Sequence, residues 1–397
     1  MILQHPIARQ FSRLPDPAEA RRMLRRLHSA PCHAAPRRVD KPVTLYGAGN
    51  LGRLAHAYFQ RIGVTVQTVV DANAGTLANT PFWEQTRLIA PEDVPNKLKT
   101  KTLLAISIAN DPFTPVAEYL TRQGWQDAVP FYDIAEAYRD RHPLSNGWFA
   151  DPFSDTDLDR IETVMDGWHD AVSRAHHLQF IAWRRLRQEW TFSAAPVTTD
   201  DRFFIPEVLD CLNHEERFID LGAHTGSVTR RFCQLTGGHF SELCLIEPDR
   251  TSLEQLEVTM DELGLCDDSR LRVMDCGIAA RTGMGRFYEG LDYASQLTPL
   301  GKRKLPVVAL DDLEFTPTFI KLHLEGGELD ALKGAEQTLL SHRPIVVATS
   351  YHNVQGLWEL PLWLMQTLPN YRFLLRLHSW CGTGAVIYAL PNERSSH

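Results

Sequence analysis

The sequence predicts an α/β protein built from two parallel-sheet domains joined by a helical linker. Three observations lead there. Residues 41–134 and 200–391 each alternate short apolar runs with amphipathic stretches, the order that builds parallel strands with helical crossovers. In each half, the first apolar run leads into a glycine-rich turn. Between the halves, residues 155–190 carry apolar side chains at spacings of three and four, the mark of amphipathic helix. The 397 residues are 44% hydrophobic and 23% charged, which excludes disordered and collagen-like classes and leaves ample core. A formal charge of −8 argues against a nucleic-acid binder. No run approaches the roughly 18 apolar residues of a membrane span, and no secretory signal is evident. Seven scattered cysteines without a Cys-x-x-Cys pair or zinc-like spacing read as reduced thiols in a cytoplasmic protein.

In chain order, residues 1–40 form a basic N-terminal segment with eight Arg against three acids. Its cluster Arg21–Leu27 reads as a helix packed on the rest of the protein, with lipid or RNA contact as the alternative. Residues 41–150 form the first sheet domain. Val43–Tyr46 is a strand, Leu51–Ile62 a helix stopped by Gly63, Val64–Val70 a strand, Leu103–Ser107 another, and Phe113–Gln123 a helix. Gly47-x-Gly49-x-x-Gly52 sits between strand and helix, where a Rossmann-like fingerprint places a pyrophosphate at a helix N-terminus. Asp71 ends the next strand, where a ribose-binding acid belongs. Three readings stand: a nucleotide-sugar or similar acceptor, a dinucleotide held as ligand or relic, or glycines that only permit close packing. Residues 151–200 form the linker, one or two helices. Its His176 and His177 point about 100° apart on a helix, so ordinary helix surface is expected rather than metal.

Residues 201–397 form the second sheet domain. Strands are expected at Arg217–Leu221, Leu243–Glu247, Leu271–Met274, Val307–Leu310, Phe319–Leu324, Ile345–Tyr351, Arg372–Leu377 and Ala385–Ala389. Helices are expected at Val228–Leu235, Ser252–Leu263, Glu328–Leu340 and Leu357–Leu368. The last two strands lack a helix between them, so the last strand should run antiparallel. The turn Asp220-Leu-Gly222-Ala-His224-Thr-Gly226 lets backbone approach a ligand closely. Asp220 can accept hydrogen bonds from a ligand amine or from the turn itself. Glu247, followed by the strand-ending Pro248, suits two ribose hydroxyls, and Asp275 after the third strand suits an adenine amine. Acids at successive strand ends fit adenosine without a phosphate cradle.

These blocks carry a resemblance. With Phe203–Glu207, Ala309–Leu313, Phe319–Ala335 and the tail Arg376–Pro391, residues 200–391 resemble the FkbM family of S-adenosylmethionine-dependent methyltransferases. The resemblance implies a class I methyltransferase fold, S-adenosylmethionine held around Asp220, Gly222, His224, Gly226, Glu247, Pro248, Asp275 and Ser295, and O-methylation of a sugar or natural-product hydroxyl. In the N-terminal domain, the implied partner is a nucleotide or nucleotide-sugar at Gly47, Gly49, Gly52 and Asp71, so the small-molecule acceptor is nucleotide-linked in that reading. The chain departs from the family where Lys321-Leu-His323-Leu-Glu325 puts His in place of the expected Asp. His323, with a pKa near 6.5, is the expected base, His352 the second choice, and Glu325 their carboxylate partner. Two alternatives stand: His323 is a buried strand-end residue hydrogen-bonded to backbone, or the two histidines and the carboxylate hold a divalent metal that acidifies the hydroxyl. The rival functions are an NAD-dependent oxidoreductase built on the first domain and a nucleotide-binding module without catalysis.

Overall fold

A computed structural model describes residues 7–394. The N-terminal domain holds five strands: β1 (Val43–Tyr46), β2 (Val66–Val70), β3 (Leu88–Ile89), β4 (Leu103–Ile106) and β5 (Ala128–Pro130). All pair in parallel, in the order β3-β2-β1-β4-β5. β3 and β5 are too short, at two and three residues, to stand out as periodic patterns in the sequence.

The C-terminal domain holds seven strands: β6 (Arg217–Leu221), β7 (Glu242–Ile246), β8 (Leu271–Met274), β9 (Phe319–Leu322), β10 (Ile345–Thr349), β11 (Tyr371–Leu377) and β12 (Ala385–Pro391). Their order is β8-β7-β6-β9-β10-β12-β11. β12 is antiparallel to both neighbours, so the last strand in the chain lies inside the sheet and β11 takes its edge. This is the class I methyltransferase topology, with the crevice where the strand order reverses between β6 and β9. Between β8 and β9 the chain inserts a second, four-stranded mixed sheet over residues 277–308. The predicted helix over Glu328–Leu340 is two helices broken at Gly334, whose added Cβ would stand 2.4 Å from the Ala279 carbonyl oxygen. Close packing on the insert, not local propensity, makes that break.

The basic segment and the linker form part of the C-terminal core. Four of the helices, in chain order, are α1 (Pro17–Ser29), α2 (Asn50–Arg61), α3 (Asp155–Gly167) and α4 (Ala171–Leu186). The buried faces of α1, α3 and α4 share one apolar cluster with β6, β9, β10, β11 and β12. The basic face of α1 is met by acids of α3, Arg21 with Asp166 at 2.5 Å and Arg25 with Glu162 at 2.6 Å. His176 and His177 are not helix surface: both are buried, and burial pushes both down to about 4. His177 accepts from the Trp168 indole and meets the Leu357 carbonyl at 2.8 Å, and His176 accepts from Leu377 N–H, so both serve packing. No helix among the described residues is long and apolar enough to cross a membrane.

Candidate active site

The glycine turn after β6 builds the floor of a cavity of about 140 Å³. Gly222 has φ +77°, and a Cβ there would lie 2.1 Å from the His323 carbonyl oxygen, so only glycine lets β6 and β9 end side by side. Glu247, at the end of β7, accepts the His224 N–H and the Asp249 N–H, both at 2.8 Å, one on each oxygen. Burial raises its pKa while those two N–H groups pull it back down. Glu247, Pro248, Gly222, His224 and Ser295 all line the cavity. The insert forms its roof, and the His224 ring meets the Asp292 carboxylate at 3.1 Å from floor to roof.

Three predicted cofactor residues sit elsewhere. Asp220 is fully buried beneath the turn and accepts from Lys321 Nζ at 2.7 Å and Thr229 Oγ at 3.1 Å. Lys321 also donates to the Gly222 carbonyl at 2.7 Å and does line the cavity, so Asp220 acts on it through Lys321. Gly226 packs against Leu256, Thr259 and Met260, where a Cβ would clash at 2.7 Å. Asp275 is half exposed and faces Arg303 at 3.4 Å, while its neighbours Cys276 and Gly277 line the cavity. Arg202 and Lys321 are lining residues that no strand-end pattern marked.

His323, Glu325 and His352, from the ends of β9 and β10, converge on one point, where His323 and Glu325 line this cavity and His352 lines a larger neighbour. Glu325 Oε1 lies 3.0 Å from His323 Nε2 and 3.2 Å from His352 Nε2. Its other oxygen accepts from Ser145 of the N-terminal domain. Glu325 holds a left-handed φ of +51°, an unfavourable backbone state for a non-glycine residue. His352 Nδ1 lies 2.6 Å from Glu328 Oε1. Burial opposes the charge on His352, but Glu325 and Glu328 outweigh it and hold the ring protonated well above its ordinary range. His323 goes the other way. Burial pushes it to about 3, helped by Arg202 and against the pull of Glu325, so the pKa near 6.5 expected of a free histidine does not apply. The Glu325 carboxyl is held below the usual range: burial alone would raise it, and the two histidines lower it further than that.

A second cavity, of about 670 Å³, opens on the far side of Glu325. Glu325, Gln296 and Leu297 line both cavities. The N-terminal domain supplies one wall through Arg139, Ser145, Trp148 and Phe149, and Phe153, Trp358 and Asn353 supply others. That wall is held by Arg187, whose guanidinium bonds Asp133 at 2.9 Å and the Gly147 carbonyl at 2.9 Å.

The N-terminal turn repeats the local design. Asp71 accepts the Ala48 N–H and the Asn73 N–H, both at 2.7 Å, as Glu247 does in its own turn. Gly47, with φ +102°, and Gly52 pack so closely that a Cβ on Gly52 would stand 2.2 Å from the Gly47 carbonyl oxygen. The Trp83 indole closes on the Ala48 carbonyl at 3.1 Å. Neither of the two cavities above is lined by Gly47, Gly49, Gly52 or Asp71.

Residues 220–375 match the methyltransferase FkbM domain family. A solved methyltransferase FkbM from Methylobacillus flagellatus KT shares 19% identity over 95% of this chain and 94% of that one, with a TM-score of 0.60. That likeness shows a common fold through both halves. A precorrin-6y C5,15-methyltransferase from Geobacter metallireducens GS-15 matches 50% of this chain and 95% of its own at 13% identity, with a TM-score of 0.31. No curated protein matches the sequence.

Proposed function

We propose that the chain, whose residues 220–375 match the methyltransferase FkbM domain family, moves the methyl group of S-adenosylmethionine to a hydroxyl oxygen of a small acceptor bound in the larger cavity. The observation that carries this reading is the meeting of two cavities at Glu325, one floored by the Gly222 turn and Glu247, the other walled by aromatic and polar side chains. The smaller cavity suits the cofactor. Gly222 leaves the floor free of side chain, and each Glu247 oxygen keeps a lone pair for a ribose hydroxyl beyond the N–H it already accepts. The cofactor supplies an electrophilic methyl group and a neutral sulfide leaving group.

The larger cavity suits a ring bearing hydroxyls, a carbohydrate or similar natural product. Trp148, Phe149 and Trp358 offer apolar faces, and Arg139 and Asn353 offer hydrogen bonds. In the reaction the sulfur–carbon bond breaks with its electron pair left on sulfur, the oxygen–carbon bond forms, and the hydroxyl proton must leave. An oxygen being alkylated becomes a strong acid, so an ionised carboxylate receives its proton downhill. Glu325, lining both cavities, is the group we assign to orient the hydroxyl and take that proton. His323, the base expected from the sequence, lines only the smaller cavity and lies 3.0 Å from Glu325, so in this reading it positions the carboxylate instead.

Two expected outcomes test this. Glu247→Ala removes a charged acceptor of the kind that contributes about 1.5–3 kcal/mol per bond, so S-adenosylhomocysteine should bind roughly tenfold to a hundredfold more weakly. Calorimetric titration of the folded variant measures it, and unchanged affinity removes Glu247 from the site. Methyl transfer from labelled S-adenosylmethionine to a panel of sugars and nucleotide-sugars tests the activity itself.

The nucleotide-linked acceptor is tested at Gly49. A Cβ there meets nothing within 4 Å, so Gly49→Val should leave the melting temperature unchanged. If the N-terminal turn holds a nucleotide-sugar, that ligand raises the melting temperature of the wild type only. A ligand shift of equal size in both proteins removes the turn from nucleotide binding.

A further inference from the structure

We propose that His323, Glu325 and His352 form a binding site for a divalent first-row transition cation, held by Nε2 of each histidine and by Oε1 of the carboxylate. The two rings lie nearly parallel, 15° apart, with centroids 5.1 Å from each other, and both turn Nε2 toward the same oxygen. The nitrogen–oxygen separations of 3.0 and 3.2 Å are those of ligands about 2.0–2.2 Å from a shared ion at tetrahedral or octahedral angles.

A second observation comes from His352. It is buried, and its Nε2 has no hydrogen-bond partner, because the approach to Glu325 at 3.2 Å is misaligned for one. An orphaned nitrogen aimed at two other donor atoms in a closed site calls for a ligand, and the cation takes the place of the proton that Glu325 and Glu328 otherwise hold on this ring. Its Nδ1, 2.6 Å from Glu328, fixes the ring's orientation from outside, as carboxylates do behind metal-bound histidines. Ser145 holds the other oxygen of Glu325 in the same way. Two imidazoles and one carboxylate favour zinc, manganese, iron or cobalt over magnesium or calcium, which prefer oxygen.

Two neighbours work against the ion. The Tyr351 hydroxyl lies 3.3 Å from His323 Nε2 and must give that nitrogen up to the cation. Arg202 lies 3.4 Å from His323 Nδ1, so its guanidinium must turn to its other partner, the Tyr351 hydroxyl at 3.3 Å, when Nε2 becomes a ligand. Binding of the cation stands on its own. Its role rests on the methyl-transfer reading above: with Glu325 Oε1 on the ion, the ion rather than the free carboxylate acidifies an acceptor hydroxyl that enters from the larger cavity.

The full chain, stripped with chelator, is titrated calorimetrically with Zn²⁺ and followed by visible absorption with Co²⁺. One equivalent should bind, and cobalt should develop ligand-field bands. His323→Ala and His352→Ala should each abolish the bands. Glu328→Gln should weaken Zn²⁺ roughly tenfold to a hundredfold, and Arg202→Ala should tighten it. No uptake by wild type at tens of micromolar overturns the site, as does uptake unchanged in His323→Ala. S-adenosylhomocysteine titration of the same His323→Ala sample shows that it is folded. Should His352→Ala fail that control, the other three variants decide. Cation binding without S-adenosylhomocysteine binding in wild type would defeat the methyl-transfer reading and leave the cation site standing.

Discussion

Glu325→Gln should slow methyl transfer by about 10²–10⁴, the usual worth of a positioned proton acceptor, while S-adenosylhomocysteine affinity stays within a few-fold of wild type. The substitution keeps the size of the side chain and an oxygen for Ser145, but removes the charge that two histidines face at 3.0 and 3.2 Å. It leaves Gly222 and Glu247, the floor of the cofactor cavity, untouched. Rate and affinity therefore separate in this variant. Single-turnover transfer to an acceptor found in the panel measures the first, and calorimetry the second. A near wild-type rate would move proton removal away from Glu325. Equal losses in rate and cofactor affinity would mean that the strained backbone at φ +51° had relaxed and taken the Gly222 contact with it.

Arg187→Met should cost about 3–5 kcal/mol of stability, the penalty for stripping the partner from a buried charge. Arg187 follows α4 with φ +52°, and its side chain and that of Asp133 are only 6% and 11% exposed. The guanidinium holds Asp133 from two nitrogens, lies over the face of the Phe149 ring at 3.5 Å, and donates to the Gly147 and Trp183 carbonyls. Without it, Asp133, whose pKa burial already raises against the pull of Arg187, has no compensating charge at hydrogen-bond distance. The double variant Arg187→Met, Asp133→Leu should regain much of the loss, since well-packed apolar pairs replace buried ion pairs at little cost. Urea unfolding midpoints of the three proteins check this. Because Arg187 anchors the wall that carries Ser145 and Trp148, the acceptor KM should rise in the single variant and recover in part in the double. A single-variant loss under about 1 kcal/mol would show that water reaches Asp133.

Several features were legible in the residues alone because their causes are local. Alternating apolar runs and amphipathic stretches follow from the periods of strand and helix, so the two parallel sheets and nearly every long element were readable in place. Gly222 and Glu247 were readable because a tight strand-to-helix turn and an acid ending the next strand are matters of a few neighbouring residues. The reversal of strand order around β6 was implied only by the family resemblance that these blocks carry, not by a local pattern.

Only the tertiary structure decided which strand-end groups meet. Asp220 and Asp275 carry the same sequence signal as Glu247, yet Lys321, 101 positions away, claims the first and Arg303, 28 positions away, faces the second. A carboxylate goes to the cation the fold brings nearest, and no local pattern encodes that choice. Glu325 and Ser145 lie 180 positions apart, and one wall of the larger cavity comes from a different domain. The linker histidines were misread for the same reason. Spacing shows which face of a helix is apolar, but α4 is covered on nearly every side once α1, β11 and the N-terminal domain close around it. Burial, and with it the protonation of His323 and His352, is set by what the whole chain packs against a residue, a quantity that no window of sequence contains.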